Sequence, residues 1–150
     1  MPVAPGAVLF ACGLNRIRSP MAAGLMRRLH GPGVFVDCCG LQVDPEALAD
    51  PFVAVVMDEV GIDMSKHTPK TFEDLADDSF DVIVSLNPEA QHRAVEFARA
   101  RAVELEYWPT LDPTLVTGSR ESVLAAYRGV RDALDVRIRE RFPQGRTFGG

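Results

Sequence analysis

The sequence is short of cysteine, of long apolar runs and of excess positive charge, and each shortage excludes a class of protein. Its three cysteines are too few, and odd in number, for a disulfide scaffold: Cys12, Cys38 and Cys39. No apolar stretch approaches the roughly 20 residues that a membrane-spanning helix needs. Sixteen basic residues stand against 21 acidic ones, a net charge of −5, which argues against a dedicated nucleic-acid-binding protein.

A metal site and a targeting segment are not indicated either. The three histidines, His30, His67 and His92, are scattered, and no C-x-x-C pair accompanies them, so we expect neither a metal nor a cofactor. The first residues, MPVAPGAVLFACGLNR, have no basic region before the apolar run and no small-residue cleavage signal. We therefore expect a cytoplasmic protein with reduced thiols and with no membrane or nucleic-acid partner.

What is present is the composition of an ordinary folded protein, with 47% hydrophobic and 25% charged residues over 150 positions. That length fits one compact domain, and we expect residues 1–150 to form it. Short apolar runs alternate with amphipathic ones, which is the pattern of a βαβ protein. The apolar runs predict four strands, at 7–11, 34–38, 80–86 and 103–108.

Signals for the start and end of helices lie between the predicted strands. Ser19-Pro20 predicts a helix capped by Ser19 and ended by Gly31-Pro32. Further start signals precede three prolines, and two of them predict helices over 51–60 and from 88 to about 101: Asp44-Pro45, Asp50-Pro51 and Asn87-Pro88. Ser119 caps a last helix, whose apolar residues step by three or four: Val123, Tyr127, Val130, Leu134 and Ile138.

Strands separated by helices predict an α/β three-layer sandwich, in which a four-stranded parallel sheet carries helices on both faces. In such sheets ligands bind beyond the C-terminal ends of the strands. Two segments therefore become candidate sites. One is CGLNRIRS, residues 12–19, after the first strand, and the other is the loop after the fourth strand, which contains Asp112.

Segment 12–19 combines a nucleophile with an anion-binding site. Cys12 ends a buried strand, and the chain enters a helix at once, so backbone N–H groups and the helix dipole favour both a tetrahedral oxyanion and a thiolate. The planar fork of Arg18 can hold two phosphate oxygens, Ser19 can donate to the sulfur, and Asn15 can brace the loop. We expect inorganic phosphate, or a similar oxyanion, to bind along these residues: Gly13, Leu14, Asn15, Arg16, Ile17, Arg18 and Ser19.

The stretch FACGLNRIRSPMAAGL resembles the signature of the low-molecular-weight protein tyrosine phosphatase family, whose fold is shared by thioredoxin-linked arsenate reductases. Later parts of the chain are similar to that family in the same order: DPFVAVVMDEVGIDMSKHTPK, FDVIVSLN, LDPT and SRESVLAAYRGVRDAL. The resemblance implies that Cys12 is the nucleophile, Arg18 the phosphate clamp and Asp112 the general acid. It also implies that Ser19 favours the thiolate and that Asn15 supports the loop.

These roles suit the hydrolysis of phosphate monoesters through a phosphocysteine. A thiolate attacks phosphorus in line, and a protonated Asp112 gives its proton to the departing oxygen. Arg18 and the loop amides stabilise the equatorial oxygens, so that the reaction requires no metal. The resemblance implies a cysteine-dependent hydrolase of the tyrosine phosphatase type, acting on a phosphorylated protein or a small phosphoester.

Three departures from the family pattern bear on function. Leu14 stands where the family usually has glycine, and Ile17 where it often has a second cysteine, so the usual protection by a neighbouring thiol is absent. The aromatic wall for phosphotyrosine is also missing, and the residue after Asp-Pro is Thr114, which supports phosphatase chemistry better than a preference for tyrosine phosphate. We hypothesise that Cys38 or Cys39, on the strand next to Cys12, forms a reversible disulfide with oxidised Cys12.

Two other functions stay open. An arsenate reductase uses the same loop, but its thioredoxin-linked form needs two further cysteines, and SLNPEAQHRAV after the third strand has none. A form rescued by a small external thiol needs only Cys12. A phosphate- or phosphoprotein-binding domain needs neither Cys12 nor Asp112. Outside the site, we predict solvated positions for His67 and for the arginines of the last helix: Arg120, Arg128, Arg131, Arg137, Arg139 and Arg141.

Overall fold

The computed structural model describes residues 6–44, 46 and 49–144. Within them strands and helices alternate along the chain: β1 Ala7–Cys12, α1 Arg18–His30, β2 Phe35–Gly40, α2 Pro51–Asp58, β3 Val82–Ser85, α3 Pro88–Ala98, β4 Glu104–Tyr107 and α4 Arg120–Arg141. Three short 3-10 turns lie at Gly31–Gly33, Phe72–Asp74 and Pro113–Leu115. Each of the four predicted strands is present, with ends that differ by one or two residues.

The strands form one parallel sheet in the order β2-β1-β3-β4, which confirms the predicted α/β class. In the register of the sheet, Cys12 at the end of β1 lies opposite Gly40 at the end of β2. Ser85 at the end of β3 lies opposite both Ala11 and Tyr107. The C-terminal ends of all four strands therefore meet at one edge of the sheet.

Both faces of the sheet are buried, which explains why the strands are nearly continuous apolar runs. Along β1 the side chains alternate. Val8, Phe10 and Cys12 pack on the side that contains the buried residues of α1, α2 and α4. Leu9 and Ala11 pack on the other side, with the buried residues of α3. None of the helices in the described ranges is long and apolar enough to cross a membrane.

Most of the predicted helix caps are confirmed. Asp50 accepts hydrogen bonds from the N–H groups of the first turn of α2, Asn87 does so in α3, and Ser119 in α4. The start signal at Asp44-Pro45 falls partly outside the described residues, and the part that is described is a turn in which Asp44 accepts from the N–H of Glu46.

The prediction that Ser19 caps α1 is wrong. The helix begins one residue earlier, at Arg18, with Ile17 as its N-cap and without a side-chain capping bond. Ser19 lies inside the first turn, fully buried, and its hydroxyl bonds to other side chains. Gly31 ends the helix as predicted, and its φ of 63° is a conformation that glycine adopts without strain.

The arginines of α4 are not all solvated, contrary to the prediction. Arg131 is only 9% exposed, and its Nη1 donates to the carbonyl of Val56 at 2.7 Å and to Glu59 at 2.8 Å. Arg128 binds the same carboxylate, and the two guanidinium groups lower the pKa of Glu59 to about 2. The alternation of charges along α4 predicted an exposed face. It did not indicate that Arg131 is buried and connects α4 to the end of α2.

Candidate active site

Three buried side chains of segment 12–19 form a chain of hydrogen bonds that ends at the thiol. The sulfur of Cys12 lies 2.9 Å from Oγ of Ser19, and Nδ2 of Asn15 donates to that oxygen at 2.9 Å. Ser19 Oγ also lies 3.4 Å from the carbonyl of Cys39. The shorter contact is to the sulfur, so this network can supply a proton donor to a thiolate on Cys12.

Asn15 holds the segment in a turn that most residues disfavour. Its φ is 57°, in the left-handed region that asparagine tolerates, and Leu14 is not among the described residues with a positive φ. The glycine that the family pattern would place at position 14 is therefore not required for the turn. The Asn15 Oδ1 accepts from the backbone N–H of Lys70 at 2.9 Å, which anchors the turn to a distant part of the chain.

The prediction that His67 is a solvated surface residue is wrong. The side chain is half-buried, and its Nε2 lies 2.7 Å from the carbonyl of Asn15, to which it donates. Burial, assisted by the charges of Lys70 and Arg27, lowers the pKa of His67 below its usual range. Segment 67–70 therefore holds Asn15 in place through two hydrogen bonds, although it lies more than 50 residues from Asn15 in the sequence.

Gly40 is a site residue that sequence reasoning missed. A Cβ at this position would lie 2.9 Å from both the backbone N of Asn15 and the carbonyl oxygen of Gly13. The next residue, Leu41, donates its N–H to the same carbonyl at 2.8 Å. The end of β2 thus packs directly on the backbone of segment 12–19. The signal was available in the sequence, as a glycine that closes the strand beside Cys12.

Arg18 connects the two candidate segments. Its Nη1 donates to the carbonyl of Thr110 at 3.0 Å, across 92 residues of sequence. Two positions further along, Asp112 is half-buried and begins the 3-10 turn Pro113–Leu115. Its Oδ1 accepts from the N–H and the hydroxyl of Thr114. The loop that bears Asp112, residues 108–119, is therefore hydrogen-bonded to the guanidinium group of Arg18.

The hydroxyl of Tyr127 on α4 interacts with charged groups from three other parts of the chain. This hydroxyl donates to Oδ2 of Asp50 at 3.1 Å, and Asp50 begins α2. Burial raises the pKa of Tyr127, the negative charges of Asp50 and Asp112 raise it further, and the positive charge of Arg16 opposes them. The charges of Arg16 and Asp112, one from each predicted segment, therefore act on the same hydroxyl.

The other cysteines occupy opposite faces of β2. Cys38 packs on the same side of the sheet as Cys12, whereas Cys39 packs on the side of α3. All three are buried free thiols. Burial raises the pKa of Cys38 to about 11, and it raises the pKa of Cys39 as well. Cys38 is therefore the better placed partner for Cys12, and the disulfide itself stays a prediction.

Three leucines are exposed in segment 12–19 and in the loop of Asp112. Leu14 is 47% exposed, Leu111 63% and Leu115 74%, and the last two flank Asp112. Phe52 is half-buried against Tyr127, with ring centroids 5.3 Å apart. Within the described part of the chain, no group of three His, Cys, Asp or Glu side chains could hold a metal ion.

Known proteins that resemble this chain include both phosphatases and arsenate reductases. A family model described as low molecular weight phosphotyrosine protein phosphatase matches residues 7–141. The chain is 30% identical over 132 residues to an arsenate reductase of Halalkalibacterium halodurans, a match that covers 88% of this chain and 91% of that protein.

A second relative matches over a shorter stretch. The glutaredoxin arsenate reductase of Synechocystis sp. is 39% identical over 82 residues, which are 53% of this chain and 58% of that protein, so less than two thirds of that relative is covered. Among solved structures, the YwlE arginine phosphatase from Geobacillus stearothermophilus has a TM-score of 0.73 over 91% of this chain and 92% of that one. At 24% identity this likeness shows the fold alone.

Proposed function

Because this chain belongs to the low molecular weight phosphotyrosine protein phosphatase family, a family of enzymes, we propose that it hydrolyses phosphate monoesters through a phosphocysteine on Cys12. The observation that carries the proposal is the hydrogen bond from Arg18 to the carbonyl of Thr110. It holds the loop of Asp112 against the group that would grip the phosphate. A domain that only binds phosphate has no need to keep a carboxylic acid there.

The first step transfers the phosphoryl group to sulfur. Ser19 donates to the sulfur and so favours the thiolate of Cys12, which attacks phosphorus opposite the leaving oxygen. As the S–P bond forms and the P–O bond breaks, Asp112 gives its proton to the leaving oxygen. The guanidinium of Arg18 and the backbone N–H groups of segment 12–19 stabilise the negative charge on the three equatorial oxygens.

The second step frees the enzyme. Asp112, now ionised, accepts a proton from a water molecule that attacks phosphorus, and the S–P bond breaks to return the thiolate and inorganic phosphate. The same carboxyl group therefore serves as acid and then as base. Each role requires it to stay close to the bound phosphate, which the contact between Arg18 and Thr110 favours.

The natural substrate that we propose is a phosphorylated protein, with phosphotyrosine as the family's expected residue. The leucines near the site cannot stack on an aromatic ring as an aromatic wall would. We therefore expect turnover of phosphotyrosine with a modest advantage over other phosphoesters. Values of kcat/KM for phosphotyrosine, phosphoserine and phosphoarginine, measured side by side, would rank these substrate classes.

Arsenate reduction is a second candidate, favoured by the names of relatives that the chain matches in sequence, among them the two described above. In that reaction two thiols give up two electrons and become a disulfide, while arsenate becomes arsenite and one oxygen leaves as water. Cys12 can supply the first thiol. No cysteine follows Cys39 in the sequence, so the second thiol would come from Cys38 or from a small external thiol.

The proposal is tested by hydrolysis of p-nitrophenyl phosphate and phenyl phosphate in the presence of a chelator. Cys12→Ser should abolish turnover. Asp112→Asn should slow it by about 10²–10⁴-fold, and more for phenyl phosphate, because phenolate is the poorer leaving group. Asp77→Asn is the matched control, since Asp77 accepts a similar turn hydrogen bond from Ser79.

Absence of metal-free turnover in the wild type would overturn the phosphatase proposal. Protection of Cys12 from alkylation by phosphate would then indicate a working anion site without hydrolysis. Arsenate reduction in the presence of a small thiol would be measured next, with Cys38→Ser and Cys39→Ser as the informative variants. Loss of reduction in Cys38→Ser alone would identify Cys38 as the second thiol.

A further inference from the structure

An apolar groove lies between the loop of Asp112 and the middle of α4. Its volume is about 450 Å³. Residues 108–111 form one wall, and α4 forms the other with these side chains: Ala126, Gly129, Val130, Ala133, Leu134 and Arg137. Sequence reasoning did not single out this surface, because its two walls are far apart in the chain.

The α4 wall leaves room for side chains from another molecule. Ala126, Gly129 and Ala133 recur at the spacing of one helix face, so their small side chains line the same strip. A Cβ on Gly129 would meet no atom of the described residues within 4 Å. Gly129 and Ala133 are also exposed, which means that the groove opens to solvent and is not an internal packing defect.

The two ends of the groove differ in chemistry. Leu111, next to Asp112, lines one end and is largely exposed. Arg137 lines the groove eleven positions beyond Ala126, with its guanidinium carbon 5.0 Å from the ring centroid of Trp108. Eleven helical residues span about 16 Å, a distance that an extended peptide covers with about five residues.

The groove adjoins the candidate active site through Thr110. This residue lines the groove, and its carbonyl accepts the hydrogen bond from Arg18. Leu111, which also lines the groove, is the neighbour of Asp112. A peptide whose phosphate is bound by Arg18 can therefore cross Leu111 and enter the groove.

We propose that this groove binds the polypeptide on one side of the phosphorylated residue of a protein substrate. Apolar side chains of the substrate would fill the strip over Gly129, and an acidic side chain about five residues beyond the point where the peptide enters the groove would pair with Arg137. This inference rests on the proposed phosphatase function, and it defines the substrate class as phosphoproteins with an apolar and acidic flank.

The test compares kcat/KM for phosphotyrosine peptides of equal length. One set carries leucines followed by glutamate on either side of the phosphorylated residue, and the matched set carries serines followed by lysine. Burial of one leucine should favour the first set by about tenfold on one side only. p-Nitrophenyl phosphate, which is too small to reach the groove, serves as the reference substrate.

Three variants in α4 distinguish an effect on the groove from an effect on the fold. Gly129→Leu fills the strip, and it should remove the preference while leaving p-nitrophenyl phosphate turnover within about twofold, because leucine is a better helix former than glycine. Ala125→Leu adds the same side chain at an exposed α4 position outside the groove and should leave the preference unchanged. Arg137→Glu should reverse the preference for glutamate over lysine.

A binding measurement makes the groove testable without turnover. Trp108 is the single tryptophan and lines the groove, so its fluorescence in Cys12→Ser should change on addition of the preferred phosphopeptide. The same change should be absent after Gly129→Leu is added. If no variant hydrolyses any phosphoester but this binding persists, the phosphatase function fails and the groove proposal stands.

Three results would overturn the proposal. Equal kcat/KM for both peptide sets, with no difference in fluorescence, would show that the groove does not contact the substrate. An equal loss of turnover for peptides and p-nitrophenyl phosphate in Gly129→Leu would assign the strip a structural role. A dimer in sedimentation experiments that Gly129→Leu dissociates, without any change in peptide preference, would make a second copy of the chain the occupant.

Discussion

The sulfur of Cys12 and the hydroxyl oxygen of Ser19 lie 2.9 Å apart, and this oxygen already accepts a hydrogen bond from Asn15. A serine hydroxyl has one proton and two lone pairs, so the bond from Asn15 leaves the proton of Ser19 available to the sulfur. A hydrogen bond to the charged form of a group stabilises that form. The pair is therefore built to favour a thiolate.

Ser19→Ala should slow the alkylation of Cys12, because the hydrogen bond from Ser19 stabilises the negatively charged sulfur. A hydrogen bond to a charged group contributes about 1.5–3 kcal/mol, so the expected decrease in rate is about tenfold or more. The rate of Cys12 alkylation by iodoacetamide at neutral pH, followed by mass spectrometry, measures it. Ser85→Ala is the matched control, because the buried Ser85 Oγ has no hydrogen-bond partner among the described residues. An unchanged alkylation rate in Ser19→Ala would contradict the assignment.

Gly40→Ala should weaken oxyanion binding without unfolding the protein. The added Cβ would lie 2.9 Å from backbone atoms of residues 13 and 15, which must then move. Such overpacking costs about 1–3 kcal/mol, and the expected loss of phosphate affinity is about tenfold or more. Calorimetric titration with phosphate and a thermal melt measure the two effects, with Gly129→Ala as control. Wild-type affinity in Gly40→Ala would show that the contact is unimportant.

The sheet and its helices could be predicted because the relevant signals are local. Buried strands appear as apolar runs, and Asp50-Pro51 and Asn87-Pro88 combine a capping side chain with a residue suited to the first helical turn. The same reasoning failed for Ser19. The dipeptide Ser19-Pro20 is typical of a helix start, but Ser19 lies within the first turn of α1, and its hydroxyl contacts the sulfur of Cys12. Its role depends on the position of Cys12, and a local pattern does not contain that information.

The residues that support segment 12–19 were harder to find in the sequence than the residues of the segment itself. Cys12, Asn15, Arg18 and Ser19 lie within eight positions and could be found together. Gly40, His67 and Arg131 act on groups that are 25 or more residues away, so their roles follow only from the packing of neighbouring elements. Sequence composition around His67 and Arg131 resembles that of any solvated segment.

The His67→Gln variant should lose less stability than the wild type when the pH falls below about 6.5. Burial lowers the pKa of His67 below its ordinary 6.5, so the unfolded chain binds the proton more readily than the folded chain. The contribution of His67 to the free energy of unfolding is fully present above pH 6.5. It is lost as the pH falls through the pKa that His67 has in the folded protein. Glutamine can still donate to the carbonyl of Asn15 but does not titrate.

The measurement is the free energy of unfolding by urea between about pH 5 and 7. The wild type should lose stability over this range more steeply than His67→Gln. His92→Gln is the control, since the side chain of His92 is largely exposed. Parallel curves for the wild type and His67→Gln would rule out this contribution.

Arg131→Met should destabilise the protein by about 1–3 kcal/mol. The variant leaves the carbonyl of Val56 without its donor and removes one of the two cations on Glu59. Arg139→Met, which breaks an exposed pair with Asp135, should cost less than about 1 kcal/mol. Urea unfolding at neutral pH compares the two. Equal effects would mean that the burial of Arg131 has no energetic consequence.

Mild peroxide treatment should link Cys12 to Cys38 and not to Cys39. Peroxide converts the thiolate of Cys12 to a sulfenic acid, which then condenses with the thiol of Cys38 and releases water. Diagonal neighbours on adjacent strands have Cα atoms about 7–8 Å apart, slightly beyond the usual range for a disulfide, so segment 12–19 must shift. The raised pKa of Cys38 further slows the step.

Peptide mapping by mass spectrometry identifies the product. The linkage should form over minutes to hours, persist in Cys39→Ser and vanish in Cys38→Ser. Recovery of thiol reactivity after a reductant would show that it is reversible. A linkage between Cys12 and Cys39, or oxidation of Cys12 with no linkage at all, would be inconsistent with the placement of these cysteines on the sheet.

The contact between Arg18 and Thr110 has a consequence for the order in which the protein is made. Cys12 and Arg18 are synthesised before the loop of Asp112 and α4, which follow about 90 residues later. Domains fold as units during synthesis, and contacts between distant positions close late. A nascent chain therefore carries Cys12 without its partner loop until that loop has been synthesised, and the candidate site is assembled only after α4 follows it.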